Sequence, residues 1–564
     1  MIQRDLKSLT DTTFDVVIVG GGIFGVALAW EAISRGLTVA LIEREDFCGK
    51  ASANSFRMVH GGIRYLQHAD VPRIRESCAE RSSLLRTAPH LVRPVPILVP
   101  TYGHGMRGRA AMRAAMLVYD TLTFDRNRGI PDARNQIPRG RLVDRKECLA
   151  RFPQIDAPGL TGGALFSDGQ MYNPTRLALA FLRSATEAGA VAANYVEAVG
   201  FLRNGNTVIG VAARDVELSA RFEVRGRVVI NAAGGWTERL LGGLEGGGLD
   251  PRPTFSRDTC FIVPRRIGSD WGLALQGGTK DPDALLSRGA RHLFLMPWRD
   301  CTLVGVWHVV YEGNPDAYVV SDREIGTFLA EFNAAFPGVG LRPQDLVRWN
   351  AGLVLFGENR EGRKDLSYGH RSWIVDHRRR EGIDGLVTVI GVRYTTARGV
   401  AERTVDLAFR KLGRKSPPSQ TATHPLWGGD FADFGALLIE ARRDVGGLVP
   451  DELLEPLLRN YGTEYRDVFR QIAGDPSLAA PVSGTTVLKA ELLHAVRQES
   501  ARTLADAVLR RTDLATGRYP GDKALVESAD VLSGVLDWSA ERKTREIAAV
   551  KATFLNGSGE PCAS

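Results

Sequence analysis

Two groups of residues within the first 66 positions are of types that carry chemistry. The first is Gly20-x-Gly22-x-x-Gly25, preceded by the apolar run Asp15-Val16-Val17-Ile18-Val19 and followed by a helix-compatible stretch. In that setting the first glycine permits a tight turn, the second lets backbone approach a pyrophosphate, and the third lets helix and strand pack closely, with the helix N-terminus facing phosphate charge. Glu43 lies 18 residues beyond Gly25 at the end of a second apolar strand, where a carboxylate accepts hydrogen bonds from ribose hydroxyls and disfavours a 2′-phosphate. The glycines alone would mark a structural turn, but strand, glycines, helix, strand and acid together point to FAD or NAD. The second group is Ala51 to Leu66, which crowds Ser52, Ser55, His60, Gly61-Gly62, Arg64 and Tyr65 directly behind the second strand. An imidazole can take up a proton, and an arginine can grip an anion.

The elements that hold these residues are legible from apolar periodicity. Asp15 to Val19 and Leu37 to Ile42 are continuous apolar strands joined by a helix over Val26 to Ser34, the pattern of a parallel sheet buried on both faces. Short strands near Thr207 to Ala212, Arg221 to Ile230, Cys260 to Val263, His292 to Met296 and Thr302 to Val310 suit a mixed-sheet substrate domain inserted between halves of the nucleotide domain. Leu386 to Gly391 is another strand-to-glycine turn, with a helical pattern following to about Leu412. Ser416-Pro417-Pro418-Ser419-Gln420 reads as a linker. The amphipathic runs Phe434 to Arg443, Leu453 to Tyr461, Leu488 to Leu509 and Lys523 to Val550 then predict an all-α C-terminal domain. The expected fold class is α/β. Residues 1–424 would form the nucleotide-binding domain, with substrate segments near 85–160 and 250–375, and residues 425–564 the helical domain.

Composition narrows the function classes. With 44% hydrophobic and 24% charged residues, the 564-residue chain is globular and large enough for several domains. The net charge of +7 comes from 72 basic residues of which 61 are Arg, and the longest basic run, His377 to Arg380, lacks the interleaved aromatics of a base-stacking surface, so no nucleic-acid partner is expected. Six cysteines without a C-x-x-C pair suggest neither a disulfide scaffold nor a metal site. No signal-peptide pattern opens the chain, and Val16 to Trp30 is too short for a membrane span, which reads as cytoplasmic. Glycine, 61 residues, is in excess, and its informative part falls at Gly20 to Gly25, Gly61-Gly62, Gly234-Gly235 and Gly391.

Several ordered motifs settle the choice of nucleotide. Ala51 to Leu66 resembles the flavoprotein glycerol-3-phosphate dehydrogenases and oxidases, whose corresponding stretch reads Ser-Lys-Leu-Ile-His-Gly-Gly-Leu-Arg-Tyr-Leu. Asp168-Gly169-Gln170 with Asn173 to Arg176, Asn231 to Trp236, Gly391 to Thr396 and Ala490 to Arg497 follow in that family's order. The resemblance implies a glutathione-reductase-like FAD domain, a substrate domain over the flavin and a C-terminal helical cap. It implies that Gly20, Gly22, Gly25 and Glu43 hold the ADP portion, that Ser52, Ser55 and Met58 line the flavin and ribityl chain, and that Val196 contacts adenine through backbone. Gly234 would approach the pyrophosphate. Gly391, Tyr394, Thr395 and Thr396 would set a helix N-terminus by the flavin pyrimidine ring, stabilising the negative charge gained on reduction. The implied chemistry is oxidation of a secondary alcohol by hydride transfer to flavin N5. His60 is the first candidate base and His308 the second, with Arg64 and Tyr65 gripping an anionic group and Arg393 replacing a family lysine.

Departures from the family concentrate at the expected substrate pocket. Val354 stands where the family has an arginine, and a second family arginine falls near Tyr368, with His370 or Arg371 placed to compensate after a shift. Cys260 replaces a histidine, while Gly305-Val306-Trp307-His308 replaces Gly-Thr-Thr-Asp. Trp307 would offer a flat apolar wall. The expectation is therefore FAD machinery kept, with the substrate either glycerol 3-phosphate or, if specificity has shifted, a modified polyol, cyclitol or sugar derivative. The alternatives are an FAD-dependent amine oxidase and a flavin-binding protein without alcohol dehydrogenase activity. The expected acceptor is a quinone or another molecule other than oxygen, and Met106 to Tyr119 suits an interfacial helix in peripheral contact with the inner face of the cytoplasmic membrane. A homodimer is left open.

Overall fold

Alternate residues of the first strand face two different cores, which is why that strand reads as an unbroken apolar run. In the computed structural model, which describes residues 1–103, 108–244, 248–280, 290–356 and 371–555, strand β1 (Thr13–Val19) pairs in parallel with β2 (Val39–Ile42), Val16 opposite Val39 and Val19 opposite Ile42. Val16 and Ile18 pack with helix α1 (Ile23–Ser34) through Ile23, Val26 and Leu28. Val17 and Val19 point the other way, to Val196, Val208 and Val211. Over Val16–Val19 both faces are buried, and neither carries a polar residue.

Around this pair the first sheet runs Trp373–Asp376, Leu386–Ile390, Arg221–Asn231, β1, β2, Val191–Ala193, with a hairpin of Val196–Asn204 and Thr207–Asp215 beside it. The parallel strands bring three chain turns to one edge: Gly20 after β1, Glu43 after β2 and Ala232 after Arg221–Asn231. Ligands of open parallel sheets bind at such an edge.

The second sheet is mixed. Its order is Arg348–Phe356, Thr254–Val263, Cys301–Tyr311, Ala290–Trp298, Gly272–Lys280, Val92–Tyr102, Leu160–Met171 and Met58–Val59, with Arg141–Val143 against Leu160–Met171. Its outer face buries Phe261, Leu295 and Val304 under Phe328 and Phe332 of helix Asp322–Ala335. Its inner face presents Ile97, Phe166, Phe294 and Met296 toward the turns at Gly20, Glu43 and Ala232 of the first sheet.

Helices follow from Phe434 onward, and two expected single helices are each broken. Leu488 to Leu509 divides at Ser500, whose φ of +56° ends Lys489–Glu499. Lys523 to Val550 divides at Asp537, φ +51°, after which Ser539 accepts a hydrogen bond from the Arg542 N–H and starts Ala540–Lys551. Apolar periodicity passes through both breaks because residues on either side, such as Leu492 and Leu504 or Leu525 and Val550, enter the same core. The fold is α/β: two sheets, the first built around parallel strands and the second mixed, with a C-terminal helical region.

Candidate active site

A cavity of about 830 Å³ runs between the two sheets, starting at the glycine turn. Gly20 has φ +107°, and a Cβ there would lie 2.6 Å from the Ala232 carbonyl oxygen. Gly25 sits behind the turn: its Cβ would fall 1.8 Å from the Gly20 oxygen, so only glycine lets α1 meet β1. Gly22 caps α1, and Ser52 Oγ accepts from the Ile23 N–H at 2.9 Å. Glu43 Oε2 accepts from the Gly21 N–H at 2.7 Å and Oε1 from the Glu45 N–H at 2.9 Å. Each carboxylate oxygen keeps a lone pair for a ribose hydroxyl, and burial pushes its pKa up.

The other residues expected at the cofactor are mostly on the same wall. Ser55, Met58, Val196, Gly234, Gly391, Tyr394 and Thr395 line the cavity, whereas Thr396 is buried behind it at the start of helix Ala397–Lys411. A tight turn with no room for side chains, a helix N-terminus and a buried carboxylate therefore meet in one long cleft. These groups fit the pyrophosphate, ribose and elongated body of FAD.

At the far end the cleft becomes cationic. His60 is half-buried, its backbone N–H donates to Thr395 Oγ1 at 3.3 Å, and its ring meets that of Tyr65 edge-on at 5.9 Å. Burial, reinforced by Arg393, Arg64, Arg81 and Arg73, lowers the imidazole pKa to about 3. Arg393 donates to Ser77 Oγ at 3.0 Å and to Tyr65 Oη at 3.4 Å, and pairs with Glu76 at 3.0 Å. The Arg73 guanidinium lies 4.6 Å from the Tyr65 ring centre and that of Arg393 5.4 Å from it. Arg64, Tyr65, Arg73 and Arg393 all line the cavity, so three guanidinium groups converge beside one neutral imidazole. Arg73 belongs to the first turn of helix Val71–Thr87. Nothing in its sequence context distinguishes it from other surface arginines.

The substrate-sheet wall carries Cys260, His308 and Val354. His308 Nδ1 lies 2.7 Å from Asp258 Oδ1, which also accepts from Ser256 Oγ at 2.6 Å. Asp258 sits directly across the antiparallel pair from His308, a contact of long sequence separation that spacing cannot reveal. Burial pushes the Cys260 thiol pKa up, leaving it a small apolar group.

Trp307 is not in the pocket. Val306 and His308 face the cavity, and strand alternation turns Trp307 to the opposite side, where its ring packs 6.0 Å from Phe328. Arg371 is exposed and acts at a distance, its charge helping to lower the pKa of Arg73 after burial. Tyr368 and His370 lie outside the described residues.

Fold and site together define a flavin-dependent oxidoreductase. The family described as "FAD dependent oxidoreductase" matches residues 15–407, and "C-terminal domain of alpha-glycerophosphate oxidase" matches residues 419–543. The glycerol-3-phosphate dehydrogenase of Synechocystis sp. is 32% identical over 97% of both chains. Glycerol-3-phosphate dehydrogenase 2 of Mycobacterium bovis is 32% identical over 96% of this chain and 88% of its own. Among solved structures, the glycerol-3-phosphate dehydrogenase from Bacillus halodurans complexed with FAD superposes with a TM-score of 0.74 at 21% identity, covering 99% of this chain and 97% of its own. The chain belongs to the FAD-dependent oxidoreductases, in the flavoprotein glycerol-3-phosphate dehydrogenase family, and its cofactor is FAD.

Proposed function

We propose that the protein oxidises a small secondary alcohol bearing an anionic group, glycerol 3-phosphate foremost, to the corresponding ketone. The observation that carries this reading is the meeting of His60 with Arg64, Arg73 and Arg393 around Tyr65, in the same cavity as the nucleotide-binding turns. When bound, FAD supplies the two-electron acceptor for the hydride leaving the carbinol carbon. The arginines hold the anion and so orient that carbon. A ring nitrogen of neutral His60 takes the hydroxyl proton, and the resulting imidazolium is tolerated because the anionic group now offsets the arginines. The names of the curated relatives support glycerol 3-phosphate. Val354, an apolar residue on the opposite wall, favours a second reading in which a modified polyol or cyclitol is the better donor.

Anaerobic mixing of the yellow holoprotein with glycerol 3-phosphate, glycerol, cyclitols and small amines tests both. Bleaching of the flavin band by glycerol 3-phosphate at the lowest concentrations is expected. Bleaching by neutral polyols at lower concentrations still would give the second reading, and bleaching by amines alone would overturn both.

A quinone acceptor at a membrane surface accompanies this reading. Among the described residues no helix is long and apolar enough to cross a membrane. Helix Arg109–Leu122 exposes Leu117 at 68% and Val118 at 50%, followed by Phe124 at 80%, with Arg109 and Arg113 beside them. Such a ridge suits shallow insertion into an anionic leaflet. Co-sedimentation with vesicles containing anionic lipid is expected, and Leu117→Glu with Phe124→Glu should abolish it; a protein that stays in the supernatant either way would remove the membrane contact.

A further inference from the structure

His60 is followed by a backbone segment that is held from both sides. The Gly61 N–H donates to Asp168 Oδ1 at 2.6 Å, and the Gly61 carbonyl accepts from Tyr119 Oη at 3.0 Å. Arg81 Nη1 donates to the same Asp168 oxygen at 2.6 Å and to Tyr119 Oη at 3.3 Å. The Arg81 and Asp168 side chains are 0% and 6% exposed. Three side chains from three different elements, Val71–Thr87, Arg109–Leu122 and Leu160–Met171, thus converge on Gly61: Asp168 and Tyr119 hold its two flanking peptide groups and Arg81 links the pair. A Cβ on Gly61 would stand 2.2 Å from Arg81 Nη1 and 2.4 Å from Tyr119 Oη. The close grip therefore requires glycine at this position. Gly62 follows at φ +83°, turning the chain into the segment that carries Arg64 and Tyr65.

Burying an ion pair of this kind contributes little net stability, because desolvation of both charges offsets their attraction. What the arrangement supplies is precision at a single backbone site. We propose that Arg81, Asp168 and Tyr119 form a clamp whose role is to position His60, holding the two peptide groups of Gly61 so that the imidazole stays against Tyr65 and the arginines. The inference rests on the reading of His60 as proton acceptor and adds to it the residues that place the ring. All three are positioning residues, acting on the backbone beside His60. Tyr119 lies on the inner side of the helix whose outer side is the Leu117–Val118 ridge, so the clamp also ties that surface to the site.

Tyr119→Phe removes one hydrogen bond from Gly61 without leaving a charge unpaired, and Asp168→Asn keeps an acceptor for the Gly61 N–H. Both are made in the FAD-loaded protein, alone and together with His60→Gln. Flavin reduction by glycerol 3-phosphate is followed by stopped flow, and the histidine side chains by ¹⁵N NMR of histidine-labelled protein. Tyr119→Phe should slow reduction at saturating substrate about tenfold with KM within twofold, and should change the rate less than twofold once His60 is glutamine. It should also move the ring-nitrogen signals that vanish in His60→Gln while leaving the other histidines in place. Equal slowing in both backgrounds, unchanged His60 signals, or wild-type rates in Tyr119→Phe would overturn the clamp. A His60→Gln variant that reduces as fast as wild type would overturn the proton-acceptor reading itself, and the clamp with it.

Discussion

His60 sits in a field that sets its behaviour with pH. Burial and four arginines lower its pKa to about 3, so the imidazole is neutral, and competent to accept a proton, at every pH above roughly 4. An ordinary histidine would lose that form as pH falls through about 6.5. The value of kcat/KM for flavin reduction, which reports the free enzyme and free substrate, should therefore show no histidine limb between pH 8 and 5 beyond the titration of the substrate phosphate itself, and an acid limb near 6.5 that disappears in His60→Gln would contradict the assignment. Replacing His60 by glutamine should lower the reduction rate by a factor of about 10² to 10⁴ while FAD is retained. In the proposed reaction Arg73 and Arg393 act on binding. Arg73→Met or Arg393→Met removes charge-assisted hydrogen bonds worth ~1.5–3 kcal/mol, and KM for glycerol 3-phosphate should rise about 10- to 100-fold with little change for glycerol. At this scale His60, Arg64, Tyr65 and Glu43 were legible because each lies in a short motif whose residues remain neighbours in space. Arg73 and Asp258 were not, since each reaches the cavity from another element and carries no local signature.

Elements convert these residues into a site through parity and close approach. Trp307 shows how parity decides: one position along a strand moved a side chain from the cavity to the face under Phe328. A departure from the family at that position thus says little about substrate size, whereas Val354, which does line the cavity, retains its meaning. Close approach decides at the glycine turn. With a Cβ 1.8 Å from the Gly20 oxygen, Gly25→Ala must push α1 off β1, at a cost of ~1–3 kcal/mol, and displace the helix N-terminus from the pyrophosphate. The purified variant should show a flavin-to-protein absorbance ratio well below that of wild type; full FAD content would refute the packing role. In the first sheet β1, α1 and β2 were readable because continuous apolar strands around a glycine turn have few other solutions, but Thr207–Asp215 and Arg221–Asn231, expected in the substrate domain, belong to this sheet, since short apolar strands carry no signal of which sheet they join. The C-terminal helices were readable as helices, but their breaks at Ser500 and Asp537 were hidden by apolar residues that share one core across each break.

Across the whole molecule, buried ion pairs tie the C-terminal helices to the nucleotide-binding sheet. Arg176 donates to both oxygens of Glu499 at 2.7 and 2.6 Å, with side chains 1% and 0% exposed, and its guanidinium lies 4.3 Å from the Tyr461 ring centre. Arg511 makes a two-pronged pair with Asp46, just after β2, at 2.6 and 2.7 Å. Against burial, which would raise it, Arg176 and His494 hold the Glu499 pKa below the usual carboxylate range. A depressed carboxylate contributes stability above its unfolded pKa, and that stability is lost as pH falls below about 4.5. Glu499→Gln leaves the Arg176 charge buried without a countercharge, and urea unfolding at neutral pH should report a loss of about 3–5 kcal/mol, with a weaker dependence on acid pH than wild type. An unchanged midpoint would show that the pair does not join the two regions.

The sequence by itself determined the FAD cradle, the class of fold and the segment holding His60, because these depend on contacts between residues close in the chain: a strand, a turn without room for side chains, and an acid at the next strand end. Only the tertiary structure decided which arginines surround the imidazole, which side of the substrate sheet each side chain takes, and that Arg81, Asp168 and Tyr119 close on Gly61. Those relations join residues up to several hundred positions apart, and their physical content is burial, strand parity and the field of neighbouring charges, none of which exists until the two sheets pack.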